Sequence, residues 1–223
     1  MKQLYSLILL CSVIIPLAFS FHPNLKFYRY FKGALLSILI VACPFILWDM
    51  YFAASLVWGF NRNYLLGVSF FNLPIEEVLF FLCIPFSCLF TYHSVKILIK
   101  EKGRVRRAWV WTVIAGVILI ILGLTNYQKM YSLWAFTLSG FSLLVVGIIN
   151  PVYLSKFLIS YVILLIPFFI VNGILTGTGP DSPVVWYNGA ENLGVRIVTI
   201  PVEDFFYGMI LILWNVILFE IFS

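Results

Sequence analysis

Acidic residues are scarce in this chain: Asp and Glu together number 9 among 223 residues, and charged residues of both signs make up 10%. Soluble domains usually carry about a quarter charged residues. Here 63% of the residues are hydrophobic, and the mean hydropathy is +1.06. The composition therefore excludes an ordinary soluble domain and predicts an integral membrane protein, with the lipid bilayer as its surroundings.

Cysteine and histidine are also few, with four Cys and two His in the whole chain. The cysteines all fall within predicted helices and include no CxxC pair, so neither a disulfide framework nor a thiolate metal site is expected. No P-loop, HExxH or GxSxG motif occurs, and Gly177-Thr178-Gly179 lacks the strand and helix context of a dinucleotide fingerprint. We therefore predict no metal site, and no cofactor is evident from the sequence.

Long apolar runs dominate what is present. Each is about as long as a helix that crosses a bilayer core of about 30 Å. They predict an all-α membrane fold of about seven transmembrane helices, at residues 4–20, 33–53, 73–95, 108–124, 131–149, 152–175 and 197–221. We divide the chain into a first repeat at 1–99, a basic loop with a linking helix at 100–130, and a second repeat at 131–223.

Positive charge is concentrated on one side of the predicted helices. The net charge of +5 could point to nucleic acid. Its densest cluster instead lies between the third and fourth helices, at Lys96, Lys100, Lys102, Arg104, Arg106 and Arg107. Ten of the 14 Lys and Arg fall on that side, and such residues favour cytoplasmic loops. We therefore predict no nucleic-acid partner, an outer N-terminus, a cytoplasmic C-terminus and a multi-pass protein of the plasma membrane.

A short acidic motif occurs twice. Residues 73–77 read Leu-Pro-Ile-Glu-Glu, and residues 200–204 read Ile-Pro-Val-Glu-Asp. Leu-Gly-Val precedes each motif at the same spacing, so the offset is 127 residues throughout. The two copies hold four of the nine acids of the chain, which are Glu76, Glu77, Glu203 and Asp204.

The repeat also sets the expected topology. Helices one to three correspond to helices five to seven, and helix four adds one crossing between them. Both halves then begin on the same side of the membrane and are parallel repeats, related by an axis along the membrane normal. The four acids are therefore expected at one depth, near the outer face.

Each motif lies at a predicted helix start, where proline and acidic residues are also ordinary. Ionisable groups at membrane depth are costly and usually functional, however, and these recur with their neighbours. We therefore interpret the four acids as candidate acid–base groups. Phe80 follows Glu76 by one helical turn, and Tyr207 follows Glu203 in the same way, so each ring can stabilise a nearby cation. A packing role for either ring stays open.

Further polar residues accompany the motifs. Asp49 is the other intramembrane acid, and Asn172 takes its place in the second half. Asp49 is either a second proton-handling group or a hydrogen-bonded structural residue. Asn61 and Asn188 recur in the outer loops before each motif, and we interpret them as turn or site-positioning residues.

These paired motifs, in a small membrane protein of two three-helix halves, resemble the heterodimer-type lycopene cyclases, whose halves are separate subunits or fused. The resemblance implies lycopene β-cyclase activity, which converts the linear ψ-ends of lycopene to β-rings and gives γ-carotene and then β-carotene. It implies lycopene and other carotenoids as ligands and other carotenoid enzymes as partners. A carboxylic acid would protonate a terminal double bond, and a carboxylate would remove a ring proton after closure. We expect Glu76 and Glu203 in these roles, with Glu77 and Asp204 tuning or sharing the proton.

Other functions remain alternatives at this point. A carotenoid hydratase would capture the same cation with water, and a prenyltransferase would need spaced Asp residues for Mg²⁺ and diphosphate, which Asp49 lacks. A retinal protein would need a lysine in the seventh helix, and residues 197–221 contain none. A small transporter with parallel halves is less expected, because its charged site would lie near the membrane midplane.

Overall fold

The computed structural model describes residues 3–99 and 107–223 and is built almost entirely of helices. The helices are α1 Leu4–Phe19, α2 Phe31–Ala54, α3 Ile75–Leu98, α4 Ala108–Thr125, α5 Met130–Ile149, α6 Leu154–Thr176 and α7 Val202–Phe222. Within these residues, α2 to α7 are long and apolar enough to cross a membrane, whereas α1 has 16 residues. The predicted all-α membrane fold is confirmed. Lys100, Lys102, Arg104 and Arg106 of the predicted basic loop lie outside the described residues.

The two halves interleave. In each half the first helix packs against the third, as α1 does on α3 and α5 on α7. The second helix of each half packs against the third helix of the other half: α2 packs along α7, and α6 packs on α3. The core therefore forms between the halves, from side chains such as Leu89, Phe136, Leu213 and Phe219.

One pair of antiparallel strands joins the two halves of the chain. Strand β1, Trp58–Phe60, runs antiparallel to β4, Val185–Tyr187. Gly59 faces Trp186, its equivalent at the 127-residue offset. Two equivalent residues face each other only where a two-fold axis passes between them. The pseudo-two-fold axis of the repeat therefore passes through this strand pair.

Each acidic motif begins in the second strand of a short hairpin that the sequence did not predict, with two residues in each strand. Strands β2 Ser69–Phe70 and β3 Leu73–Pro74 pair before α3, and β5 Arg196–Ile197 and β6 Ile200–Pro201 pair before α7. The prolines cap their helices in extended conformation, with ψ near 147° and 142°. The helices that were predicted to begin at residues 73 and 197 begin later, at Ile75 and Val202, because the hairpin backbone occupies the residues before them.

Helix α4, which has no equivalent in the repeat, packs closely on α5. A Cβ atom added to Gly116 would lie 2.8 Å from the carbonyl oxygen of Gly140, and one added to Gly123 would lie 2.6 Å from Thr137. Small residues allow such close approach between membrane helices. This contact holds α5, whose first turn carries side chains of the site described next.

Candidate active site

A cavity of about 730 Å³ opens between α1, α3, α6 and α7. This volume lies within the range of roughly 300–1,000 Å³ that is typical of ligand sites. Most of the lining is aliphatic or aromatic, and three carboxyl groups cluster at one end, on Asp49, Glu77 and Asp204. The cavity therefore combines an apolar body with an acidic end.

Glu77 and Asp204 are held by tyrosine hydroxyls from the first helix of each half. Tyr5 donates to Oε2 of Glu77 at 2.6 Å, and Tyr131 donates to Oδ1 of Asp204 at 2.5 Å. Asp204 accepts a second bond, at 2.9 Å, from Tyr187 to Oδ2. Both acids are buried and line the cavity, so they can reach a ligand inside it.

The other acid of each motif does not line the cavity. Glu76 Oε1 accepts the N–H of Leu66 at 2.6 Å, and Glu203 Oε1 accepts the N–H of Leu193 at 2.7 Å. Ser132 adds a bond to Glu203 at 2.6 Å. Adjacent residues on a helix do not share a face, so only one acid of each motif lines the cavity. The cavity is thus lined by Glu77 and Asp204 and not by Glu76 and Glu203, the two acids that the sequence analysis had preferred.

Glu203 and Glu76 fasten the loop that leads into each hairpin, so their removal should cost stability. We expect Glu203→Ala to lower the free energy of unfolding by about 1–3 kcal/mol, because the N–H of Leu193 loses its acceptor. Glu203→Gln keeps an oxygen at that place and is the matched control. Thermal unfolding in detergent measures both, and equal stability of the Ala and Gln variants would contradict this role.

Four aromatic rings surround the acids at the same end of the cavity. Trp58 lies 5.1 Å from Tyr131 and 6.1 Å from Tyr207 between ring centroids, and Tyr131 stacks on Tyr187 at 5.9 Å. All four rings line the cavity, and so does Phe80. Phe80 and Tyr207 follow the cavity-lining acids Glu77 and Asp204 by three residues, so they share the face of those acids.

The remaining predicted residues fall into two groups. Asp49 and Asn172 line the cavity, and Asp49 is 2% exposed. Its Oδ2 atom has no hydrogen-bond partner among the described residues. Asn61 and Asn188 lie outside the cavity lining, and each caps a turn: Asn61 Oδ1 accepts from the N–H of Asn63, and Asn188 Oδ1 from that of Ala190, both at 3.1 Å.

Sequence reasoning missed a second repeat that supplies the partners of the acids. Tyr5-Ser6 at the start of α1 corresponds to Tyr131-Ser132 at the start of α5, at an offset of 126 residues. Each tyrosine donates to the second acid of its motif and each serine to the first, with Ser6 at 3.4 Å from Glu76. The signal was present in the sequence as a Tyr-Ser-Leu triplet at both helix starts.

Tyr187 is the one tyrosine of this group that lies outside the membrane-spanning helices. Burial, and then the nearby Asp204, raise the pKa of Tyr187 well above its usual value of 10.0. The phenol therefore keeps its proton and remains a donor to Asp204 at neutral pH. Among residues 3–99 and 107–223, no three His, Cys, Asp or Glu side chains lie close enough to share a metal ion.

The chain is similar in sequence to known proteins. The sequence profile of the family described as Lycopene cyclase matches residues 2–95 and 128–222. A bifunctional lycopene cyclase/phytoene synthase from Pyrenophora tritici-repentis (strain Pt-1C-BFP) is 25% identical over an alignment of 125 residues, and the alignment covers 48% of this chain and 21% of that protein. The chain thus spans about a fifth of the length of that curated relative. No solved structure matches the chain. The profile covers both halves of the repeat, and the chain belongs to the lycopene cyclase family.

Proposed function

We propose that this lycopene cyclase is a β-cyclase that closes both ends of lycopene in one shared site, giving γ-carotene and then β-carotene. The observation that carries the proposal is the group of buried carboxyls and aromatic rings at the end of one apolar cavity. The β-ring is carried over from the resemblance of the paired motifs to the heterodimer-type enzymes.

The reaction needs one proton donor and one proton acceptor, and it has no net redox change. A carboxylic acid adds a proton to the terminal double bond, and the resulting tertiary cation is attacked by the next double bond, which closes a six-membered ring. A carboxylate then removes a ring proton, so the product is an isomer of the substrate. No redox cofactor is required by this stoichiometry.

We assign the acid role to Glu77 and the base role to Asp204. One oxygen of Glu77 is left free by its bond to Tyr5, and Asp49 lines the same cavity. Each ring closure takes a proton from Glu77 and leaves one on Asp204, and Asp49, which lines the cavity with both, can relay that proton back to Glu77. Both oxygens of Asp204 accept hydroxyl donors, from Tyr131 and Tyr187, which is the surrounding expected of a carboxylate.

The rings of Trp58, Tyr131, Tyr187 and Tyr207 supply the remaining chemistry. A cation over the face of a Trp or Tyr ring gains roughly 0.5–2 kcal/mol from its quadrupole, most where water is excluded. These rings border the same end of the cavity as the acids. They therefore suit the carbocation that forms on protonation and that moves into the ring on closure.

Tyr187→Phe tests how the base is held. We expect about a tenfold slower cyclisation, because a hydrogen bond to a charged group contributes about 1.5–3 kcal/mol. Phe60 already occupies the equivalent position in the first half, so the substitution fits the fold. Because its pKa is raised, the phenol should also keep its proton up to about pH 10. An activity loss in the native enzyme that follows Tyr187 ionisation below that pH would contradict this account.

Expression in lycopene-accumulating cells tests the function itself, by chromatography and mass measurement of the pigments. We expect γ-carotene and β-carotene, both of the same mass as lycopene. A product heavier by one water would indicate a hydratase, which remains the second candidate because it would use the same cation. Unchanged lycopene would contradict an enzyme of either kind.

The cellular setting is also a proposal. The chain is a membrane protein with several apolar helices, and we place it in the plasma membrane with its N-terminus outside. This orientation rests on the Lys and Arg of the inner loops. The relative's name pairs lycopene cyclase with phytoene synthase, which supports association of this chain with other carotenoid enzymes.

A further inference from the structure

The cavity continues from the acids into a long apolar groove. On α3 its lining runs from Glu77 to Thr91, fourteen residues apart, which is about 21 Å at about 1.5 Å per residue. The few hydroxyl groups along it donate hydrogen bonds to backbone carbonyls. Ser87 donates to Ser12 O at 2.8 Å, and Thr91 donates to Ser87 O at 3.0 Å. The groove therefore offers hydrocarbon contact along its length.

One long side of the groove faces the bilayer, between α1 and α6. These helices touch only slightly, while α1 packs along α3. Leu7 and Ile15 of α1 line the groove and are 52% and 63% exposed, and Ile170 of α6 lines it and is 60% exposed. Cys11, also exposed, lies between the two α1 residues on this rim. Side chains that border a cavity and also face lipid mark an opening toward lipid.

The equivalent space on the other side of the pseudo-two-fold axis is filled. There Phe45 packs against Phe81 at 6.1 Å and against Tyr207 at 5.3 Å, and both phenylalanines are buried. At the 127-residue offset, Gly208 stands in place of Phe81 and lines the open groove. The space on one side of the pseudo-two-fold axis is thus filled by the ring of Phe81. The groove on the other side is open because Gly208 has no ring there.

We infer that the groove between α1 and α6 is the polyene subsite, entered sideways from the lipid, and that Gly208 keeps it open. This inference rests on the proposed function. The ψ-end reaches Glu77 and Asp204 while the rest of the carotenoid lies in the groove. Because the second groove is filled, only one end is seated at a time. After the first ring closes, γ-carotene leaves through the same opening and re-enters with its other end.

Substitution of Gly208 by Ala, Leu and Phe tests the groove. A Cβ at Gly208 would lie 3.5 Å from Phe168, an ordinary contact, so space for the larger side chains comes from the groove. We expect cyclisation to fall with side-chain size, by about tenfold or more for Phe, because a filled groove cannot seat the chain. The matched control is Leu39→Phe on the lipid-facing side of α2, which is 58% exposed. Activity of Gly208→Phe equal to that of Leu39→Phe would overturn the inference.

A labelling experiment keeps the test valid if Gly208→Phe fails to fold. A variant that retains only Cys11 is treated with a bulky maleimide in bilayers, with and without lycopene, and a variant that retains only the exposed Cys43 of α2 is the control. We expect lycopene to slow labelling of Cys11 alone, and the label at Cys11 to block cyclisation. Equal labelling of Cys11 with and without lycopene, together with activity that is kept after labelling, would contradict entry through the opening between α1 and α6. Absence of any product from the unsubstituted chain would instead contradict the proposed function.

Discussion

Asp204→Asn and Glu77→Gln should each abolish ring formation, with a loss of about 10³-fold, within the usual range for a general acid or base. Both substitutions preserve shape and the ability to accept from Tyr131 or Tyr5, but they remove the group that gives or takes a proton. Conversion of lycopene by membranes containing each variant measures the effect. Thermal unfolding in detergent shows whether the variant is folded.

The first acids of the motifs are the matched controls for this experiment. Glu76→Gln and Glu203→Gln retain an oxygen for the N–H groups of Leu66 and Leu193, so we expect most of the activity to remain. If instead these two variants were inactive while folded, and Glu77→Gln and Asp204→Asn were active, the acid–base roles would belong to Glu76 and Glu203. The four variants together therefore assign the chemistry within each motif.

Asp49→Asn should slow cyclisation by about 10²-fold, which is the second largest effect expected. Without the Asp49 carboxyl, Glu77 loses the group that restores its proton, and the loss of such a proton donor resembles the loss of a general acid. Asn172 shows that an amide fits the equivalent position in the second half. Asp49→Glu, which keeps the carboxyl and moves it by one methylene, should recover part of the rate. A rate for Asp49→Asn close to that of the native chain would make Asp49 a structural residue.

The fold class and the acidic motifs could be predicted from the sequence. Apolar runs report membrane helices directly, and the repeat of Pro74 and Pro201 with their acids is visible at a fixed offset. The hairpins before α3 and α7 could not be predicted. Phe71 and Val198 adopt positive φ values of 52° and 61° there, which non-glycine residues rarely do and which no local signal announces.

The choice between the two acids of a motif was also beyond the sequence. Glu76 and Glu77 are neighbours of the same type, and both suit the first turn of a helix. Which one faces the cavity depends on how α3 is rotated against α1, and that rotation is set by packing. Trp58 and Tyr187 reach the acids through pairing of β1 with β4, a long-range contact that periodicity does not report.

The strand pair on the axis has a consequence for the history of the chain. Neither half contains the cavity, since α1 and α3 come from one and α6 and α7 from the other. A single ancestral three-helix unit would have built such a site only as a homodimer, with two equal grooves. In a chain with two copies of the unit, a substitution can occur on one side of the axis alone. Phe81 against Gly208 and Asp49 against Asn172 are such one-sided differences, and they make the present site asymmetric.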